Sequence, residues 1–157
     1  MKKIIYTLLI LSIFVSCNNE TNIIRLKIHC GSGKYKDDNS NEIKGKIYFY
    51  ESALVANLPC SKEQIISKLL EYHKKKLAEV FANNQVVNLS TTFYNKNTTT
   101  SYFITNDDDP GGFSSEILTD YYKKYGIAEI NSTRQKNTTT LRHEITFANS
   151  DKSEVIK

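Results

Sequence analysis

Three cysteines and three histidines are the residues of this 157-residue chain that could support nucleophilic, redox or metal chemistry. Cys60 directly precedes Ser61, where a helical pattern opens. A helix N-terminus favours the thiolate, so Cys60 with His29, His73 or His143 as base is one candidate for a small hydrolase or thiol enzyme. Neither a CxxC pair nor a familiar nucleophile motif surrounds Leu58-Pro59-Cys60-Ser61. His73 falls within a helical stripe and His143 alternates with Leu141, Ile145 and Phe147, positions that suit hydrogen-bonded core histidines. HExxH and other zinc spacings do not occur, so no metal ligands are assigned and no cofactor is expected. Asp107-Asp108-Asp109 before Pro110-Gly111-Gly112 resembles the start of a calcium loop, but an EF-hand count from Asp107 puts Leu118 where the bidentate acid belongs. A solvated acidic turn is the expectation there.

The elements that must hold these side chains follow from periodicity. Residues 23–30 alternate, with Ile24, Leu26, Ile28 and Cys30 on one face and Ile23, Arg25, Lys27 and His29 on the other; residues 43–50 alternate again after a polar loop over 31–41. A long helix is predicted from Ser61 to about Asn83, opened by a Ser61/Gln64 capping box. Strands are expected at 86–94, 98–105, 127–132 and 138–147. A second helix, capped by Ser114 or Ser115 and striped by Ile117, Leu118, Tyr121, Tyr122 and Tyr125, should end at Gly126. The order ββ-α-ββ-α-ββ predicts an α+β fold, an antiparallel sheet of about six strands in hairpins with both helices on one face. Lys-Asn-Thr-Thr-Thr recurs at Lys96 and Lys136, more simply a coincidence of composition than a duplicated unit.

Residues 1–16 stand apart from this pattern. Lys2 and Lys3 precede an apolar run, Ile4 to Val15, too short to span a bilayer, and Ser16 supplies a small residue before Cys17. The segment resembles the lipobox of bacterial lipoproteins, with Phe14 where leucine is usual. The resemblance implies that residues 1–16 are removed as a signal peptide and that Cys17 is lipidated. It places the protein in the bacterial cell envelope, anchored in the membrane through Cys17, with Asn18 rather than aspartate after the cysteine pointing to the outer membrane. Residues 17–22 then form a short tether, 23–147 a single domain and 148–157 a polar tail expected to fray. Roughly 140 residues remain, enough for one core. Loss of Lys2 and Lys3 reduces the formal charge of +4 by two. Weak basicity at such an address argues against nucleic acid as partner. In an oxidising compartment the remaining Cys30 and Cys60 are expected to form a disulfide.

The strand phase given above collects Arg25, Lys27, Lys44, Lys46, Tyr48 and Tyr50 on one outward face. Cations with tyrosines suit a protein or glycan partner at the envelope. The favoured reading is a non-enzymatic binding module, comparable in size and location to small lipidated immunity or inhibitor proteins; the alternative is the Cys60 enzyme. The sequence leaves the oligomeric state open.

Overall fold

Ser61 opens the longest helix with an extended backbone (φ −102°, ψ 148°) and a hydroxyl that accepts from the Gln64 amide at 3.2 Å. The computed structural model describes residues 20–37, 39–97, 115–135, 140–150 and 152–156, with side chains at all of these except 27–29 and 115–119. Over these residues the chain runs β1 (Asn22–Lys36), β2 (Glu42–Ala56), α1 (Lys62–Phe81), β3 (Val86–Asn95), α2 (Ser115–Tyr125), β4 (Gly126–Arg134), β5 (Leu141–Phe147) and β6 (Ser153–Ile156). Arg134 closes the far end of α1. Its Nη2 donates to the Phe81 carbonyl at 3.0 Å and its Nε to the Val86 carbonyl at 3.3 Å, a cation on the carbonyl end of a helix.

The fold is α+β, with one correction to the sheet. The six described strands lie in chain order, β1-β2-β3-β4-β5-β6. All neighbours are antiparallel except β2 and β3, which run parallel from Ile47↔Val86 to Val55↔Asn95. The cause is α1. Its 20 residues carry the chain back by roughly 30 Å, the length of the β2 segment that pairs, so β3 restarts at the end where that segment began. The expected strand at 98–105 and the Asp107 turn lie outside the described residues, as does most of both Lys-Asn-Thr-Thr-Thr segments.

The helices occupy opposite faces rather than one. Leu69 and Leu70 of α1 pack on Ala53, Val55, Phe93, Ala128, Ile130 and Ile145, while Tyr121, Tyr122 and Tyr125 of α2 pack on Leu26, Leu54 and Tyr94. Neighbouring residues in a strand point to opposite sides, so Ala53 and Leu54, like Phe93 and Tyr94, serve different helices. Central strands covered on both faces bury consecutive residues, as Glu51 through Val55 do.

β1 and the tail are corrected as well. β1 continues through Gly31 and Gly33 to Lys36, where a loop was expected. The tyrosines of β2 make this possible: Gly31 pairs with Tyr50 and Gly33 with Tyr48, and a Cβ added at either glycine would stand 2.7 Å from the hydroxyl of its partner. Each ring covers the bare backbone of its glycine. The tail does not fray over Ser153–Ile156, which pairs with His143–Thr146 as β6, the last of the described strands.

Candidate functional site

Register divides the expected binding face. Arg25 pairs with Ala53, so it shares the α1 side, whereas Tyr48 and Tyr50 share the phase of Ser52 and Leu54 on the α2 side. A register irregularity between Leu26 and Gly31 breaks the alternation on which the single face depended. A second lies between Lys34 and Lys36; opposite it Gly45 has φ +72°, which places Lys44 and Lys46 beside a kink in β2 rather than in line with the tyrosines. The side chain of Lys27 lies outside the described residues. What the sheet does bring together is the tyrosine pair, with ring centroids 6.2 Å apart and planes inclined by 36°. Tyr50 is 44 % exposed.

The expected Cys30–Cys60 disulfide is absent because Cys30 is a free thiol. Register gives the reason. Cys60 lies past the Asn22↔Ala56 end of the β1–β2 ladder and Cys30 lies beside the Gly31↔Tyr50 pair, roughly 20 Å along β2 and far beyond the ~7 Å that a disulfide spans. The Cys30 thiol donates to the Leu26 carbonyl at 2.8 Å.

Beneath α1 the sheet assembles a constellation that sequence reasoning missed. The Arg25 Nε lies 3.4 Å from Glu51, and Glu51 accepts from the Thr91 hydroxyl at 3.2 Å. Thr91 Oγ1 meets His73 Nδ1, His73 Nε2 meets Ser132 Oγ, and Ser132 Oγ meets His143 Nδ1, each at 2.7 Å. The chain crosses β2, β3 and β4 and ends on β5, with His73 supplied by α1. A carboxylate only accepts, so its charge sets every polarity along the row. Thr91 donates to Glu51 and therefore accepts from His73 Nδ1–H. The neutral ring then accepts at Nε2 from Ser132, which accepts from His143 Nδ1–H. Thr91, His73 and Ser132 thus each give one hydrogen bond and take one, and His143 gives one.

Burial sets the electrostatics. His73, Thr91 and Ser132 have no exposed surface. Desolvation, with His143 nearby, pushes the His73 pKa down to about 3. Desolvation raises the Glu51 carboxyl above its ordinary value against the opposing pull of Thr91 and Arg25. Burial and Lys74 lower His143. Because His73 commits both ring nitrogens to Thr91 and Ser132, it does not serve Cys60 as a base, and it sits roughly three helical turns from that end of α1. The side chain of His29 lies outside the described residues. Among the described residues no group of three or more His, Cys, Asp or Glu side chains could hold a metal ion.

The signals for this row are faint in the sequence. Glu51 is a lone acid at the head of the run Glu51–Val55, and the two histidines fall at apolar-phase positions. Thr91 and Ser132 are ordinary strand residues. Comparison of the chain with known protein families, with curated proteins and with solved structures returns no match in any of the three.

Proposed function

We propose that the protein is a cell-envelope lipoprotein, lipidated at Cys17, that acts as a non-enzymatic binding module for a protein or glycan of the envelope. The observation that supports the binding surface is the tyrosine pair. Tyr48 and Tyr50 stand side by side on the sheet, each lying over a glycine of β1, so the exposed surface there is aromatic and held in place from beneath. Tyrosine supplies contact area at low entropic cost, and an aromatic face accepts either a sugar ring or an apolar side chain. The lipobox resemblance of residues 13–17 supports the anchor, and β1 begins at Asn22, five residues beyond the proposed lipid.

The test is crosslinking in cells. Tyr48→Ala with Tyr50→Ala should abolish recovery of the native protein's partner at any ionic strength, whereas Tyr48→Phe with Tyr50→Phe, which keeps the glycines covered, should retain it. Unchanged recovery from the double alanine variant refutes the assignment. Lys44→Glu with Lys46→Glu should weaken recovery chiefly at low salt, where charges beside the pair are least screened.

A further inference from the structure

On the α1 side of the sheet, a cavity of about 240 Å³ opens between β1, β2 and the C-terminal half of α1. Its walls are of two kinds. Phe49, Val80 and Leu89 are apolar, while Arg25, Glu51, Lys76 and Glu79 are charged. The Arg25–Glu51 pair is lopsided, with the arginine side chain 51 % exposed and the carboxylate side chain 4 %. An anion entering from solvent reaches the guanidinium without displacing Glu51. Arginine's planar fork matches a carboxylate, and the apolar wall suits a short hydrocarbon body.

Two carboxylates on one guanidinium repel each other, the more so because Glu51 is buried, and a proton on one of them relieves the repulsion. The ligand is the solvent-facing partner, so the proton falls on Glu51. The hydrogen-bonded row already joins Glu51 to half-exposed His143, with every donor aligned in one direction. His143 takes a proton from solvent at Nε2 and passes its Nδ1 proton to Ser132. Ser132 passes its own to His73 Nε2, His73 passes its Nδ1 proton to Thr91, and Thr91 passes its own to Glu51. One proton enters at His143, one arrives at Glu51, and every hydrogen bond in the row reverses polarity without being lost.

We propose that this cavity binds a small monocarboxylate with an apolar body, its carboxylate on Arg25 and its body against Phe49, Val80 and Leu89, and that binding takes up one proton onto Glu51 along the row Thr91–His73–Ser132–His143. The charged and titratable groups facing Glu51 are Arg25 and Cys30 from β1 and Tyr72, Lys76 and Glu79 from α1, with His73 reached through Thr91. Lys76 pairs with Glu79 at 2.9 Å and contributes no net charge.

The test uses the full chain in detergent, with butyrate as probe and butylamine as charge control. Butyrate should shift the Arg25 Nε–Hε resonance and the Phe49 and Val80 amides saturably, and butylamine should not. Affinity should rise toward tenfold for each unit of falling pH while Glu51 is ionised in the empty site and protonated in the filled one. Calorimetry in buffers of different ionisation enthalpy should register uptake of one proton. Saturation should also move the His73 proton from Nδ1 to Nε2, seen in its ring nitrogen shifts. Glu51→Gln, which can still accept from Thr91, should bind butyrate with no proton uptake and no pH dependence. Absence of saturable shifts, equal binding of butylamine, zero proton uptake by the native chain, or an unmoved His73 tautomer would each overturn the proposal. The native-chain measurements decide it even if the variant does not fold.

Discussion

Acidification should destabilise this fold through His73, and the size of the effect follows from its burial. In the folded chain the ring is sealed between Thr91 and Ser132 and titrates at about 3, whereas an unfolded histidine titrates near its ordinary 6.5. The folded-state pKa is depressed, so the unfolded chain binds the extra proton first, and the stability that His73 contributes above pH 6.5 is lost as pH falls toward 3. The slope is about 1.4 kcal/mol per pH unit once the unfolded ring is protonated, or about 2 to 3 kcal/mol between pH 6.5 and 4.5. That is a large share of the ~5–15 kcal/mol typical of a domain. Other groups contribute on the same limb. His143 is also lowered and adds to the loss, while Glu51 is raised, so its contribution is present at low pH and disappears as pH rises through its folded value. Replacement of the ring separates the terms. His73→Leu leaves Thr91 and Ser132 each one partner short and should cost about 1 to 3 kcal/mol at pH 7, but it removes the titration. Urea denaturation of both chains at pH 7, 5.5 and 4.5 should show the gap between them closing by about 2 to 3 kcal/mol. Parallel stability curves across that range would refute the assignment of the acid limb to His73.

Gly126→Ala should lower stability by about 1 to 3 kcal/mol, because the added Cβ would press into the Tyr122 carbonyl oxygen and meet that residue's ring at 2.5 Å. Gly31→Ala meets only the movable Tyr50 ring and should cost less; thermal melts of the two variants give the comparison. Growth with labelled palmitate should mark the native chain, and Cys17→Ala should lose both label and membrane retention. Retention of the variant with residues 1–16 still attached would refute the lipobox reading.

Where local chemistry decides structure, the sequence was readable. Ser61 and Gln64 marked the start of α1, and alternation located β3, β4 and β5 to within a few residues. The errors arose where partners distant in the chain decide. Gly31 and Gly33 read as loop because the rings that cover them belong to β2. Alternation implies a single buried side for each strand and hence both helices on one face, although Ser52–Val55 is short and apolar enough to be covered on both. Parallel pairing of β2 with β3 depends on the return length of α1 rather than on any turn signal. Of the expected binding residues, only Tyr48 and Tyr50 were brought together. The row beneath α1 was illegible for the same reason: a threonine, a serine and two histidines become a hydrogen-bonded chain only when four strands and a helix are in register.

The order of strands also determines how the domain bears a load. Under the proposed function, a lipid at Cys17 would pull on β1 from its Asn22 end, and a partner on the tyrosine pair would pull on β2 at Tyr48 and Tyr50, which face Gly33 and Gly31 farther along the same ladder. The two points of attachment lie at different heights on one antiparallel pair, so tension between them runs along the strands. Antiparallel hydrogen bonds stand perpendicular to that direction. They are therefore strained together in shear, from Asn22↔Ala56 toward Gly31↔Tyr50, instead of opening one after another as they would if β1 were peeled from the sheet at one end.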